Sequence, residues 1–370
     1  MWWFPSGRLV GPLGLANDLL RICQRRVKVR LGQPPRLKLG LGPQRLLDPA
    51  PGDRCVEVLT KALDPLLGRI RLVHADWVSH EQTYGRAPLR LAGVEADAQT
   101  DQVGRIEFVP DDDGRGGVTV MMDGSPQSHV DLADPGNLGF EYIAHFAAVI
   151  DTLPAGPLGI THIGGAGLTL ARYVNAERPG SPQIVLEPNA ELTDRVRREL
   201  PLPRQHRIRV RPVDGRTGIA QLADASADVV VLDAYAGGRI PRELTTVEFL
   251  ADAARVLRAG GTMLLNIADE PNKAFLRRVY AGLVTVFGHV AIIGTHEVLK
   301  GKRFGNTVAV ASRAPLDLAA LGRQVAKSSF PTGLRDGSQL AREFAGSAAF
   351  TLADSAQSPP PPPVKGWRTR

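Results

Sequence analysis

The chain has 370 residues, 43% hydrophobic and 22% charged, which suits a globular protein with one large domain and a smaller one. Its two cysteines argue against a disulfide framework and a cysteine-based metal site, and no run of about 18 apolar residues predicts a membrane-spanning helix. The net charge of +7 comes from residues 1–75, where thirteen Lys and Arg face five Asp and Glu. The near-neutral remainder therefore argues against a nucleic-acid partner.

The N-terminal segment of residues 1–68 is basic and rich in Pro and Gly, and is predicted to be mostly disordered, with a helix near residues 56–67. Residues 13–29 are amphipathic and basic, so a membrane-surface helix is the alternative to a basic arm or to sequence upstream of the true start. We favour the arm and expect no membrane contact. The apolar start is too short for a signal-peptide core, and we expect a cytoplasmic protein.

Strand patterns begin after this segment and predict a small antiparallel β domain over residues 69–135. The expected strands cover residues 69–77, 105–110 and 117–123. Residues 111–117 read Asp-Asp-Asp-Gly-Arg-Gly-Gly, which is a strong turn signal, so the last two strands are predicted to form a hairpin.

Strands and helices then alternate, after a helix predicted over residues 140–153. The expected strands cover residues 158–163, 183–187, 208–213, 228–233, 261–267, 289–294 and 306–311. The expected helices cover residues 168–174, 190–200, 217–222, 246–257 and 272–286. This alternation predicts a mostly parallel, doubly wound sheet in a Rossmann-like domain over residues 136–314. A helical extension over residues 315–357 and a disordered Pro-rich tail over residues 358–370 are expected to follow.

A glycine-rich turn joins the first strand of this domain to its helix. Gly164, Gly165 and Gly167 allow the backbone to pass close to a ligand and expose amide groups at a helix start. Glu187 closes the next strand, where a carboxylate can accept both ribose hydroxyls of a nucleoside. A tight turn followed by an exposed glutamate is the alternative, but the two features together favour nucleoside binding.

Acidic residues also follow the next two strands. Asp214-Gly215 can hydrogen-bond the exocyclic amine of adenine, or it can form a plain Asp-Gly turn. Asp233 ends the central strand, where it can serve as a general base or as a cap, and we favour the base. Ligands bind at the carboxyl edge of such sheets. The pattern therefore predicts a class I S-adenosylmethionine-dependent methyltransferase (Rossmann-like) fold with a small N-terminal antiparallel β domain.

The order of these pieces along the chain is typical of one family. An Asp-Gly-x-x-Gln stretch with Gln127 precedes a Phe-x-Tyr helix start with Tyr142, and Gly-Gly-x-Gly, Glu, Asp-Gly and a strand-end Asp follow. Over about residues 105–312 this order resembles the spermidine synthase family, the polyamine aminopropyltransferases. Actinobacterial spermidine synthase-like proteins are especially similar, since they share Leu-Thr-Leu-Ala-Arg-Tyr, Leu-Thr-Thr-Val-Glu-Phe and Arg-Phe-Gly-Asn with residues 168–173, 244–249 and 303–306.

The resemblance implies a ligand and a set of contacts. In this family the nucleoside is decarboxylated S-adenosylmethionine, which leaves as methylthioadenosine, and no metal is expected. Asp233 corresponds to the proton-accepting aspartate of the family. The residues implied to contact the nucleoside are Gln127, Tyr142, Glu187 at the ribose, and Asp214-Gly215 at the adenine. The family commonly pairs through its N-terminal strands, which implies a homodimer through the β domain.

Three positions depart from the family pattern. Ala166 stands where the family has the acid that grips the aminopropyl ammonium, and Ala236 replaces the second acid of Asp-x-x-Asp. Ile143 replaces the Gln or His that follows the helix tyrosine. A buried ammonium without a carboxylate partner is costly, so we expect weakened diamine binding and a largely intact adenosine pocket.

Three functions are consistent with these residues. The first is aminopropyl transfer to a small-molecule amine, with Asp233 as the base. The second is a methyltransferase that uses intact S-adenosylmethionine on an unknown, less cationic acceptor, with Tyr235 lining an apolar or aromatic pocket. The third is a non-catalytic relative that binds a nucleoside or only its own kind.

Overall fold

The structure is a computed structural model that describes residues 105–112, 114 and 116–362. The predictions for residues 1–68, for a strand at 69–77 and for the end of the tail at 363–370 lie outside the described residues. Within the part of the chain that is described, no helix combines the length and the apolar character needed to cross a membrane.

A three-stranded antiparallel sheet, in the order β1-β2-β3, comes first. Its strands are β1 (Ile106–Pro110), β2 (Gly117–Met122) and β3 (Ser125–Asp131). The predicted hairpin of β1 and β2 is confirmed. Sequence reasoning missed β3, because its Pro, Gln, Ser and His lack an apolar alternation. Asp123 and Gly124 have φ of +51° and +73°, as in the two-residue turns that favour β-hairpins, so the chain folds straight back from β2.

The larger part of the fold is an α/β unit that begins with α1 (Glu141–Thr152). Its strands are β4 (Ile160–Ile163), β5 (Gln183–Leu186), β6 (Ile208–Arg211), β7 (Ala227–Leu232), β8 (Leu257–Asp269), β9 (His289–Thr295), β10 (Gly305–Ser312) and β11 (Thr332–Arg335). Its other helices are α2 (Thr169–Glu177), α3 (Ala190–Glu199), α4 (Gly215–Ala220), α5 (Val247–Val256), α6 (Ala274–Phe287), α7 (His296–Leu299), α8 (Leu318–Val325) and α9 (Gly337–Glu343). A turn of 3₁₀-helix covers Arg242–Thr245.

These eight strands form one sheet in the order β11-β9-β10-β8-β7-β4-β5-β6. The strands from β8 to β6 are parallel, whereas β10 runs antiparallel to both β8 and β9. The strand order reverses between β4 and β7, which creates a crevice at their carboxyl ends. This topology is that of the class I S-adenosylmethionine-dependent methyltransferase fold, as predicted, with β11 added at the edge.

The central strands are buried on both faces. Val229 and Val231 of β7 pack towards α1, α2 and α8, whereas Val230 and Leu232 pack towards α4, α5 and α6. A fully buried aliphatic side chain stabilises the fold by about 1.5–3 kcal/mol, so this double burial fixes the position of β7 firmly. The residue that follows β7 therefore has a well-defined place at the sheet edge.

The small sheet docks on α2 and α3. The Thr169 hydroxyl donates to the carbonyl of His129 over 2.6 Å and lies 2.9 Å from the Ser128 hydroxyl. Arg195 of α3 donates to the Ile106 carbonyl and stacks over Phe108 at 5.2 Å. These contacts bring β3 next to the glycine-rich turn that precedes α2.

The C-terminal part differs from the predicted helical extension and free tail. Besides α8 and α9 it contains β11, which pairs antiparallel with β9. Residues 358–362 do not form a free tail, because Ser358 is fully buried and hydrogen-bonded to Ile240. Composition alone predicted disorder there, since a Pro run has no hydrogen-bonding pattern of its own and the burial comes from tertiary contacts.

Replacing Thr169 by Val should lower the free energy of unfolding by about 2 kcal/mol, because the buried Ser128 hydroxyl and His129 carbonyl lose their partner. Urea denaturation measures this change. Thr285→Val is the matched control, since Thr285 is exposed and bonds only within its own helix, and it should stay within about 0.5 kcal/mol of wild type. Equal stability of the two variants would contradict the assigned docking contact.

Candidate functional site

A cleft of about 650 Å³ opens at the carboxyl ends of β4, β5 and β7, below β3 and the start of α1. All but one of the residues predicted for the site line it. These residues are Gln127, Tyr142, Gly164, Gly165, Glu187, Asp214, Gly215, Asp233 and Tyr235. The exception, Gly167, instead packs against β3, where an added Cβ would lie 2.9 Å from the Ser128 hydroxyl.

Gly164 is required where β4 meets β7. Its φ is +87°, and an added Cβ would collide with the backbone carbonyl of Asp233. At Gly165 a Cβ would lie 2.6 Å from Val185, so this position also excludes a side chain. The two glycines therefore let the turn sit directly on the neighbouring strands.

The rest of the turn uses non-glycine residues in the left-handed region. Ala166 has φ +36° and Leu168, the N-cap of α2, has φ +65°. Such conformations cost of order 1–3 kcal/mol each in non-glycine residues and persist only where the surroundings fix them. Leu168 is fixed by burial among the apolar residues shared with the small sheet. The turn is thus a strained segment held by the packing around it.

Glu187 holds this turn in place. Its Oε2 accepts the amides of Gly165 at 3.1 Å and of Ala166 at 3.4 Å, and its Oε1 accepts the amide of Asn189 at 3.0 Å. A carboxylate has about four acceptor sites, so both oxygens keep capacity for further donors from the cleft.

Asp214 and Gly215 form the start of α4. Asp214 is its N-cap and accepts the Thr217 amide over 2.8 Å, and this backbone hydrogen bond lowers the pKa of the Asp214 carboxyl. A Cβ on Gly215 would collide with Ile163 of β4. The capping role that the Asp-Gly pattern also allowed is therefore present, and Asp214 lines the cleft as well.

Asp233 lies at the end of β7, where Asn266 of β8 donates to its Oδ1 over 3.0 Å. The hydroxyl of Tyr142 also acts on this carboxylate and favours its charged form. Burial raises the pKa of Asp233 to about 6, although the interactions with Asn266 and Tyr142 oppose this shift. The carboxylate can thus accept a proton near neutral pH.

Asn266 was missed by sequence reasoning. It is 2% exposed, lines the cleft, and its Oδ1 has no hydrogen-bond partner among the described residues. An unpaired buried acceptor costs roughly 1–3 kcal/mol, so a donor group of a ligand is its natural partner. The signal in the sequence was weak, because Asn266 lies inside an otherwise apolar strand.

Tyr142 and Tyr235 frame the Asp233 carboxylate. The Tyr142 ring stacks on Phe140 at 5.9 Å and meets Phe146 edge-on at 6.1 Å. The Tyr235 hydroxyl donates to the Asn266 carbonyl and accepts the Ala268 amide, both at 3.2 Å. Tyr235 therefore ties the segment after β7 to β8. Burial raises the pKa of both tyrosines, with a further contribution from the charge on Asp233.

His162, another lining residue, plays a structural part. It is buried in β4, lies 2.8 Å from Oε1 of Gln183, and burial lowers its pKa to about 4. It is therefore neutral near pH 7. Gln183 in turn donates to the Ala171 carbonyl of α2, so the pair connects β4 and β5 to that helix.

The charge of the cleft is strongly negative. Two further carboxylates, Glu141 and Glu243, line it, and neither motif nor spacing had indicated them. Among the described lining residues Arg303 is the one Lys or Arg, and it lies 3.5 Å from Glu297. The acidic lining residues are Glu141, Glu187, Asp214, Asp233 and Glu243. A cleft of this charge favours a cationic ligand.

No protein-family model matches the chain. The chain is similar to a polyamine aminopropyltransferase from Chromobacterium violaceum, with 25% identity over 178 residues, or 45% of this chain and 67% of the relative. It also resembles the crystal structure of a probable spermidine synthase from Corynebacterium glutamicum, with a TM-score of 0.64 and 31% sequence identity. That alignment covers 68% of this chain and 94% of the other.

Replacing Tyr142 by Phe should raise the pKa of Asp233 above its value of about 6, because the carboxylate loses a hydroxyl group that stabilises its charged form. The measurement is a pH titration of the Asp233 carboxyl carbon by NMR. Tyr280→Phe, on α6 and outside the cleft, is the control and should leave this pKa unchanged. An unchanged or lower pKa in the Tyr142 variant would rule out this effect of the Tyr142 hydroxyl on Asp233.

Proposed function

The chain belongs to the spermidine synthase family, and on this basis we propose that its cleft binds an S-adenosyl nucleoside and transfers the aminopropyl group to a small amine. One observation carries the proposal. A carboxylate with a raised pKa, Asp233, shares a single cleft with the glycine-rich turn, Glu187 and Asp214. A nucleoside at the turn and an amine beside Asp233 would therefore meet in the same cleft.

In the proposed complex the adenosine group lies along the carboxyl ends of β4, β5 and β6. Glu187 accepts the ribose hydroxyls with the acceptor capacity left beside its backbone hydrogen bonds. Asp214-Gly215 faces the adenine, and Gln127 and Tyr142 cover the nucleoside from β3 and α1. The glycine turn supports this placement, since its missing side chains leave the backbone open to the ligand.

The chemical step is a displacement at carbon. The ammonium of the acceptor gives its proton to Asp233, and the free nitrogen lone pair attacks the methylene carbon next to the sulfonium. The new C–N bond forms as the C–S bond breaks. The electron pair of the broken C–S bond stays on the sulfur, which becomes the neutral thioether of methylthioadenosine. Asn266 keeps the Asp233 carboxylate in position throughout, and Tyr142 favours its charged form.

The charge of the cleft favours decarboxylated over intact S-adenosylmethionine. The intact molecule carries an extra carboxylate, which five acidic lining residues would repel. Arg303 is the one described lining cation, and Glu297 already lies next to it. The same acidic lining offsets the loss of the family acids at Ala166 and Ala236, because Glu141 and Glu243 remain to balance a cationic acceptor.

Calorimetry should show that methylthioadenosine and decarboxylated S-adenosylmethionine bind, and that intact S-adenosylmethionine binds more weakly. Glu187→Ala should weaken methylthioadenosine binding at least about tenfold, the loss expected for hydrogen bonds to a charged group. Glu199→Ala, an exposed glutamate on α3, is the control and should bind like wild type. Tighter binding of intact S-adenosylmethionine would favour a methyltransferase instead, and binding of none of the three would favour a non-catalytic relative.

The rate of aminopropyl transfer should depend on a group with a pKa near 6. Because Asp233 must be deprotonated to act as a base, kcat/KM should fall as the pH drops through about 6 and should lose that inflection in Asp233→Asn. This variant should also lose at least about 100-fold in kcat, whereas Asp194→Asn, exposed on α3, should keep wild-type activity. Retention of activity by Asp233→Asn would remove Asp233 from the mechanism.

A further inference from the structure

The C-terminal segment wraps over the helices that flank the site. We call residues 350–362 the C-terminal strap. Phe350 at its start is buried, packs on Phe275 at 5.2 Å, and lies under Arg278 at 4.1 Å. Arg278 also forms an ion pair with Asp354 at 2.6 Å. The strap is thus anchored on α6 before it reaches the cleft.

Ser358 fastens the strap to the segment that follows Asp233. It is fully buried, and its hydroxyl accepts the Ile240 amide over 2.9 Å while its own amide donates to the Ile240 carbonyl over 3.4 Å. Its carbonyl accepts Nε of Arg239 over 2.6 Å. One of these hydrogen bonds joins main chain to main chain, and the other two use the Ser358 hydroxyl and the Arg239 side chain.

The segment held in this way is a tight turn on the cleft wall. Ala236 and Arg239 exchange backbone hydrogen bonds of 2.8 and 3.1 Å, and Gly237 and Gly238 between them have φ of +57° and +73°. Ala236 and Gly238 both line the cleft. The turn begins three residues after Asp233, so its position shapes the space next to the base.

Pro361 of the strap is itself part of the wall. It lines the cleft, and a Cβ added at Gly238 would lie 2.9 Å from its ring. The fixed φ of proline keeps such a segment extended at little entropic cost, which makes it a stiff wall. The wall that Ala236, Gly238 and Pro361 form carries no charge.

We propose that the strap helps to form the part of the cleft that binds the acceptor amine. Ser358 positions the turn after Asp233, and Pro361 completes the wall beside that turn. The strap thereby sets the affinity for the acceptor, because the turn follows Asp233 along the chain and Pro361 packs on it, whereas Glu187 and Asp214 follow β5 and β6. This consequence for the acceptor rests on the proposed aminopropyl transfer. The hydrogen bonds that couple the strap to the turn do not depend on that proposal.

Hydrogen exchange tests the coupling without any ligand. In Ser358→Ala the Ile240 amide loses its acceptor and should exchange about fivefold faster, the factor that corresponds to one hydrogen bond. Ser355→Ala is the matched control, because Ser355 lies in the same strap and has no hydrogen bond among the described residues. Equal exchange of Ile240 in wild type and both variants would overturn the proposal.

Steady-state kinetics with decarboxylated S-adenosylmethionine and putrescine test the effect on the acceptor. Ser358→Ala, and a chain that ends at residue 357, should each raise KM for putrescine about fivefold or more. Both should bind methylthioadenosine within about twofold of wild type, and kcat of Ser358→Ala should also stay within about twofold. A chain that ends at residue 362 keeps the described strap and should match wild type. An unchanged KM despite faster exchange would overturn the role of the strap in the wall.

The proposed aminopropyl transfer and the proposed role of the strap can be contradicted independently. A wild-type protein that binds methylthioadenosine without turning over putrescine would contradict aminopropyl transfer to this diamine, and the exchange of Ile240 would still decide whether the strap holds the turn. A variant with weakened methylthioadenosine binding would overturn the assignment of the strap to the acceptor side alone.

Discussion

The packing of Gly164 against the main chain of Asp233 is the contact on which the rest of the site depends. The parallel strands β4 and β7 lie side by side, and their carboxyl ends can approach this closely only because Gly164 has no side chain. The approach brings the glycine-rich turn and the Asp233 carboxylate to one edge of the sheet. Burial of β7 on both faces holds that edge in place, and Glu187 fixes the turn from the neighbouring strand.

The site combines an acidic cleft with a chain whose net charge is +7. The family acids absent at Ala166 and Ala236 suggested a weakened site for cations. Glu141 and Glu243 change that expectation, because they bring carboxylates to the same cleft from α1 and from the 3₁₀ turn. The buried, unpaired acceptor of Asn266 next to Asp233 fits an N–H donor from an amine. Charge and hydrogen-bonding capacity thus favour the same class of ligand.

Much of this arrangement could be predicted from the sequence. The apolar run before Asp233 and the strand-helix alternation fix the parallel sheet, and strand ends converge at one edge, so Glu187, Asp214 and Asp233 were expected together. Asn266 and Glu243 could not be found in this way, since their approach to the cleft depends on how β8 and the 3₁₀ turn pack. Gly167 was expected at the ligand but packs against β3. That strand was not predicted, because its sequence is polar. Pairing through the β domain stays a prediction.

A crystal structure with methylthioadenosine would show where the nucleoside binds and how it faces Asp233. We expect that the ribose hydroxyls bind Glu187, that the adenine lies beside Asp214, and that the thioether sulfur points into the space between Asp233 and Tyr142. A nucleoside bound elsewhere on the protein, or bound in this cleft with its sulfur turned away from Asp233, would contradict the proposed site.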